Sequence, residues 1–508
     1  MSTTQAESAD VGQSASAIST IAGTGSGGFE GDGGPAVSAR LNYPYAIAVD
    51  GSGTLYVSDH GNHRIRKVTA EGTITTIAGT GSAGYKGDGV PATSAQLNWP
   101  RSVAVDGAGT VYVADSSNHR VRGITADGTI STVAGTGRAG FGGDGGPAAS
   151  AQLNNPFGLA VDGDGTLYVA EFNGHRVRRI TADGKISTVA GTGTAGSKGD
   201  GGPAVSAQLN RPQALAVDGE GVLYVADSGN HRIRKVTADG TITTVAGTGT
   251  AGFGGDDEQA TSASLNSPLG VTVDDRGVLY VADSGNHRIR KVTADGTIST
   301  VAGTGTAGFG GDGEQATSAS LNNPVGLAVD RAGALHIADH VNHRIRKVAA
   351  ARTAGLPESG TVACWANVRS RLRMGVFRES LKDGAEIRLS LATPRSHQQW
   401  RLIEVGQDGP DVLYRMENVR SGKVLEVTDA RKTAGAVVAQ RAYEGDDAHH
   451  QKWKLIPVGP VTDVPQVFEI ANHHSGLLLQ VDTTARTEVR QHGTEGDHRS
   501  RQWQLLPV

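Results

Sequence analysis

A single ruler governs the first two-thirds of this chain. The pair His-Arg recurs at His63, His119, His175, His231, His287 and His343, always 56 residues apart. An AGTG tetrapeptide begins at Ala22, Ala78, Ala134, Ala190, Ala246 and Ala302 on the same spacing. A Gly-Asp step keeps Asp32, Asp88, Asp144, Asp200, Asp256 and Asp312 in register with both. Six copies, with neither insertion nor deletion, span roughly residues 15–350. A repeat of this length is one supersecondary unit, stable only when stacked on its neighbours.

Each unit reads as four short strands. In the second they are Ser102–Asp106, Val111–Asp115, His119–Ile124 and Thr129–Gly135, rich in Val, Ile and Thr and bounded by Gly, Asp or Asn. The 73 glycines of the chain supply the tight turns. Four strands per unit, repeated radially, make the blades of a six-bladed β-propeller. The sixth unit lacks a fourth strand after Val348, and a spare one, Ala17–Gly23, precedes the first unit. That N-terminal strand is expected to complete the sixth blade and close the ring, leaving no open edge.

The unit NNPFGLAVDGDGTLYVAEFNGHRVRRI resembles an NHL repeat, with Pro-x-Gly, AVD, YVA and the His-Arg step in order. It differs in carrying a long loop, GTGxxGxxGDGxPAxSAxLN, between one blade and the next. A propeller alone names no function.

The sequence is expected to divide into a flexible N-terminus over 1–14, the propeller over 15–350 and a linker over 351–360, beyond which the ruler vanishes. Over 361–508 a threefold pattern replaces it: HQQWRLIEV, HQKWKLIPV and SRQWQLLPV place Trp400, Trp453 and Trp503 about fifty residues apart. This region resembles the ricin-B-type β-trefoil, so the expected class is all-β throughout. The resemblance implies sugar sites built from an acidic residue, an aromatic platform and a polar residue beside the QxW motif. The acidic place holds Gly375, Glu426 and Gln480, and Arg501 stands where the third motif glutamine belongs. Only the second copy keeps a plausible set, Glu426, Tyr443 and His450. The trefoil is thus either a glycan binder or a module kept for protein contact or stability.

Positions identical in all six units serve the blade, and their expected roles are cross-blade hydrogen bonding and turn capping. Calcium at the Gly-Asp loops is disfavoured, because each offers one carboxylate where six to eight oxygens are normal. The informative positions break the pattern. Slots flanking each leading proline hold Tyr43/Tyr45, Trp99/Arg101, Asn155/Phe157, Arg211/Gln213, Ser267/Leu269 and Asn323/Val325. A further slot after each second strand holds His60, Ser116, Phe172, Ser228, Ser284 and His340. Aromatics make up 5% of the chain, yet five fall in these few slots, on one face near the axis. With the long loops as walls, Tyr43, Tyr45, Trp99, Asn155, Phe157, Phe172, Arg211 and Gln213 are expected to line a small-ligand pocket. Arg101 and Arg211 suit a carboxylate or phosphate. Glu171 replaces the usual Asp, and its longer arm is expected to reach the ligand as a general acid or base. His60 and His340, in adjacent blades after closure, are expected to act as a proton-transfer pair or as two metal ligands, the latter a weak signal without a third ligand. Glu171, His60, His340 and Arg101 are therefore the catalytic candidates.

Two functions remain open. One is a ligand-recognition protein with a small-molecule pocket and a lectin-like trefoil. The other is a metal-independent lyase, isomerase or cyclase acting at the same face. Neither a cofactor nor a metal is expected. The near-neutral balance, 47 Lys+Arg against 51 Asp+Glu, argues against nucleic acid or an anionic membrane as partner. One cysteine and no signal peptide make a cytoplasmic protein the expectation, with leaderless secretion left open.

Overall fold

The computed structural model describes residues 16–350, 361–367, 372–376, 379–391, 396–408, 411–430, 432, 436–444, 448–457, 467–481, 489–492 and 501–507. The chain folds as two units, the larger of which is Ala15–Ala350.

The larger unit is a six-bladed propeller of antiparallel sheets. In the first blade the strands are Pro44–Val49, Leu55–Asp59, Arg64–Val68 and Ile74–Ala78, innermost to outermost, and the other blades repeat this order. The closing strand is Ile18–Ala22, which pairs with Arg344–Val348 in the register Ile18↔Val348 and Thr20↔Arg346. Ile18 and Ala22 are fully buried. Alternation sets the cores: Ile47, Leu55, Val57 and Ile74 share one cluster with Ala328, Ala338 and Ile345 of the preceding blade.

The long loops do not wall a pocket. Each leaves the outermost strand of one blade and runs along the outer edge of the next, where Gly33 N–H donates to the Ile74 carbonyl (2.7 Å) and Ile74 N–H to that of Gly34 (3.0 Å). In the second and fifth blades this becomes a fifth strand, Val90–Pro91 and Glu258–Gln259. A 3-10 turn, Ala36–Ser38 in the first loop, then packs Ala36, Ala39 and Leu41 into the blade core. The loops fold flat because their small residues bury well there, and they cover edges that would otherwise invite pairing.

A charged bridge anchors each loop. Arg66 is fully buried, with Nη1 3.2 Å from Asp59 Oδ2 and Nη2 2.7 Å from Asp32 Oδ1. Arg122, Arg178, Arg234, Arg290 and Arg346 repeat the arrangement in the other blades. The Gly-Asp aspartates are thus partners of a buried guanidinium rather than turn caps. Burial pushes Asp59, Asp115, Asp227 and Asp339 up to about 6 even beside an arginine.

In the smaller unit, Trp400, Trp453 and Trp503 are fully buried in one core. Their indole N–H groups donate to the carbonyls of Met374, Leu425 and Leu479, at 3.2, 3.0 and 2.8 Å, which makes the threefold pattern physical. Its strands form a closed barrel region in which Val362–Asn367 pairs with both Trp400–Asp408 and Gln502–Pro507.

Removing one partner of a buried ion pair strands the other's charge, at a cost of about 3–5 kcal/mol. Arg66→Met is expected to lower urea-derived stability by that amount. A loss below about 1 kcal/mol would show that the bridge does not brace the blade.

Candidate functional site

The upper face of the propeller is where the first strands begin and the second strands end. Two left-handed residues meet at every blade boundary there. The histidine of each His-Arg step has φ of 50 to 54°, and so does, within a few degrees, the residue before each leading proline. The backbone N–H of the second donates to Nδ1 of the first: Tyr43 to His343 (3.0 Å), Trp99 to His63 (3.1 Å), Asn155 to His119 and Arg211 to His175 (both 3.2 Å). Ser267 and Asn323 complete the ring with His231 and His287. An accepting Nδ1 requires that nitrogen unprotonated, and burial holds all six histidines below their ordinary pKa.

The slots that vary converge on the axis. Tyr45 Oη donates to Gln213 Oε1 (2.6 Å), joining blades that stand opposite one another. The Arg101 guanidinium lies over the Tyr45 ring (4.7 Å) and the Phe157 ring (4.3 Å), and Phe157 stacks on Phe172 at 4.2 Å. Arg211 reaches the Phe172 ring at 5.6 Å. His60 sits between Tyr45 (5.3 Å) and Trp99 (4.6 Å), and His340 between Tyr43 (5.2 Å) and Tyr45 (5.4 Å). Tyr43, Tyr45, Trp99, Arg101, Phe157, Phe172, Arg211 and Gln213 thus form one patch, with Asn155 at its rim on the blade boundary. These side chains adjoin one another, but the shape differs from the expected pocket. Tyr45 and Phe157 are buried against their neighbours, and the cavity they border with Arg101, Gln213, Leu269 and Val325 holds about 60 Å³. Pockets for small organic molecules run from about 300 Å³ upward. What this face exposes is Tyr43 (41%), Trp99 (42%) and Arg211.

The catalytic candidates fare differently. Glu171 is fully buried and does not approach the axis: Oε1 is 3.0 Å from Arg178 Nη1, and Oε2 accepts the Asn154 N–H at 2.9 Å. These are the bonds that Asp59 makes with Arg66 and Asn42 in the first blade. The extra methylene is absorbed by a second change. In that blade Gly174 stands where the others have Asn62, Asn118, Asn230, Asn286 and Asn342, and a Cβ on Gly174 would lie 2.7 Å from Glu171 Cβ and Oε2. Burial raises the Glu171 pKa, but the group is sealed from any ligand. His60 and His340 likewise do structural work, their Nδ1 atoms lying 3.0 and 3.1 Å from the carbonyls of Pro100 and Pro44. Ser116 Oγ donates to Pro156 in the same way. A carbonyl only accepts, so each Nδ1 carries the proton. Burial and then Arg101 push the His60 pKa down to about 3.

An outer ring is absent from the expectations drawn from sequence. Phe29, Tyr85, Phe141, Phe253 and Phe309 stand on the 56-residue ruler, each 37–49% exposed, and each covers an arginine, as Phe29 does Arg64 at 3.6 Å. Five aromatics in six copies of one slot, with Ser197 the exception, was the available signal.

In the smaller unit Glu426 is 1% exposed, with Oε1 2.7 Å from Arg441 Nε and Oε2 accepting from Gln451 Nε2 (3.1 Å). His450 lies beside it, whereas the Tyr443 ring lies 4.4 Å beneath the Arg415 guanidinium.

Sequence profiles agree with this architecture. The NHL repeat matches residues 97–124 and 265–292, and the Teneurin NHL domain matches 23–86, 137–198 and 193–253. The ricin-type beta-trefoil lectin domain-like profile matches 358–441 and 396–494. NHL repeat-containing protein 2 of Bos taurus is 33% identical over 340 residues, covering 60% of this chain and 46% of that protein. Human Teneurin-4 is 32% identical over 347 residues, covering 60% of this chain and 12% of that protein. The chain therefore spans less than half the length of these curated relatives. Among solved structures, an auxiliary nutrient binding protein from Bacteroides thetaiotaomicron aligns with a TM-score of 0.49 at 18% identity, over 65% of this chain and 75% of that one.

Two expectations test the structural roles. Gly174→Asn alone and Glu171→Asp alone should each destabilise by about 1–3 kcal/mol, while the double substitution rebuilds the arrangement of the other blades. It should return to within about 1 kcal/mol of wild type, and additive losses in the denaturation cycle would refute the coupling. The second concerns pH. The unfolded pKa of a histidine is about 6.5 and that of His60 in the fold is about 3. Its neutrality therefore favours the fold fully above pH 6.5, and that contribution is lost as pH falls toward 3. His60→Ser keeps a donor for the Pro100 carbonyl. Between pH 7 and 4, wild type should lose about 3 kcal/mol relative to the variant. Parallel pH profiles would mean that His60 titrates normally.

Proposed function

For a chain that joins an NHL-repeat propeller to a ricin-B-type trefoil-like domain, we propose a recognition protein whose propeller binds an anionic ligand on its upper face. One observation carries this reading. Tyr43, Trp99 and Arg211 occupy left-handed backbone positions, with φ of 50, 53 and 53°. Bulky residues there cost about 1–2 kcal/mol, whereas Asn tolerates the conformation. The equivalent slots of the third and sixth blades hold Asn155 and Asn323, the local optimum. Strain borne by large, exposed side chains at three of six equivalent positions points to a use outside the fold.

The chemistry of the patch indicates the ligand class. Among the described residues neither Arg101 nor Arg211 is ion-paired with a carboxylate; the exposed Arg211 guanidinium is open to an anion, and Arg101, packed over the Tyr45 and Phe157 rings, adds positive charge to the face. Tyr43 and Trp99 offer ring faces beside them. A ligand joining a carboxylate or phosphate to a planar or apolar part fits, resting on the face rather than inside the axis. Acid–base catalysis has less support, because Glu171 is sealed and His60 and His340 are engaged through Nδ1. The trefoil-like domain would add a second contact, with a glycan or a protein.

Tyr43→Asn/Trp99→Asn should leave folding within about 1 kcal/mol of wild type, relief of strain offsetting lost ring contacts. In equilibrium dialysis against nucleotides, aromatic carboxylates and acidic tyrosine-containing peptides, wild type should retain at least one probe. The double variant should bind that probe at least about tenfold more weakly. Identical retention by both proteins would overturn the reading.

A further inference from the structure

We propose that Glu426, Glu444 and His450 bind a divalent transition-metal ion, with Zn²⁺ as the expected occupant. His450 Nε2 lies 3.6 Å from Glu426 Oε2 and 3.7 Å from Glu444 Oε2, and the three atoms lie within 4.8 Å of one another. Those separations are too long for hydrogen bonds. They suit a shared ion: two ligands held about 2.1 Å from a tetrahedral centre stand about 3.4 Å apart.

The three side chains are held by groups that a metal would leave in place. Gln451 donates from Nε2 to Glu426 Oε2 and to the Ala442 carbonyl, while its Oε1 accepts the Glu444 backbone N–H at 3.1 Å. One amide thus fixes both carboxylate-bearing segments. His450 precedes Gln451 in the 3-10 turn His449–Gln451, so the same clamp sets the imidazole. Arg441 ion-pairs with Glu426 through Oε1, whereas His450 approaches Oε2, which keeps a lone pair beyond its bond to Gln451. Such outer partners orient ligands and tune them.

Donor type selects the ion. One imidazole nitrogen and two carboxylate oxygens suit Zn²⁺ and its first-row neighbours, whereas Ca²⁺ takes six to eight oxygens. Three protein ligands leave a fourth position for water or for an oxygen of a bound molecule. The other two copies cannot build the site, since Gly375 and Gln480 replace the buried glutamate.

The test is calorimetric titration of the full chain with ZnCl₂, paralleled by the visible spectrum of the Co²⁺ form. With 16 histidines in the chain, variants must separate this site from others, and the His449–His473 ring pair at 5.2 Å serves as the control. Wild type should bind one equivalent saturably and give the absorption of four-coordinate cobalt. Glu444→Gln, at a half-exposed side chain, and His450→Gln should each weaken binding at least about tenfold, while His473→Gln leaves it unchanged. Absence of saturable binding overturns the proposal, as does wild-type affinity in Glu444→Gln and His450→Gln, or equal weakening in His473→Gln.

Discussion

An arginine with no exposed surface, placed between two carboxylates of different origin, is the contact on which the propeller depends. One carboxylate ends the second strand and the other arrives on the long loop, so each guanidinium ties the inside of a blade to the segment that wraps its outer edge. The upward shift of Asp59 and its equivalents shows that burying these charges is costly in itself. Their value is geometric: a charge that must be matched fixes where the loop lies. Once the loop is fixed, its last residues deliver the leading proline of the next blade in one position, six times over.

That rigidity explains how a symmetric scaffold carries an asymmetric face. The histidine latch bonds to a backbone N–H and is indifferent to the side chain attached there, so Tyr43, Trp99, Asn155, Arg211, Ser267 and Asn323 all satisfy it. His60 and Ser116 satisfy the neighbouring proline carbonyls with different chemistry. Composition on the upper face is thereby uncoupled from folding, and one side can gather aromatic and cationic groups while the fifth blade stays plain.

Much of this was legible in the sequence. A ruler without a single slip leaves no freedom in blade count, and the missing strand after Val348 with the spare one at Ile18 leaves none in closure. The patch was legible for the same reason, as departure from a repeat. What could not be read was depth. Whether Tyr45 and Phe157 line a hollow or fill it depends on side chains reaching across the axis from blades far apart in the chain. Glu171 misled because it was compared alone: its partner change, Asn to Gly at position 174, shows that the longer carboxylate replaces a neighbour's volume instead of leaving its post. The long loops, expected as walls of a pocket, misled because spacing alone does not say where a connection lies; here Gly23 and Gly25 pack against His343 and Arg344 of the preceding blade, and the loop then follows the outer edge of the next.

The closing strand has a consequence for synthesis. Ile18 pairs with Val348, so the two parts of the sixth blade are made at opposite ends of the propeller segment. On a ribosome the first strand emerges early and must wait, unpaired, while five complete blades form behind it. Local pairing can build those five as they appear, but the most non-local contact in the unit comes last. Until then the nascent array carries two open edges, each matched to the edge of another unfinished copy. A polysome crowded with such chains is where this fold is most exposed to intermolecular exchange, and the speed with which Ile18–Ala22 finds Arg344–Val348 decides whether the product is one ring or two chains sharing their sixth blades.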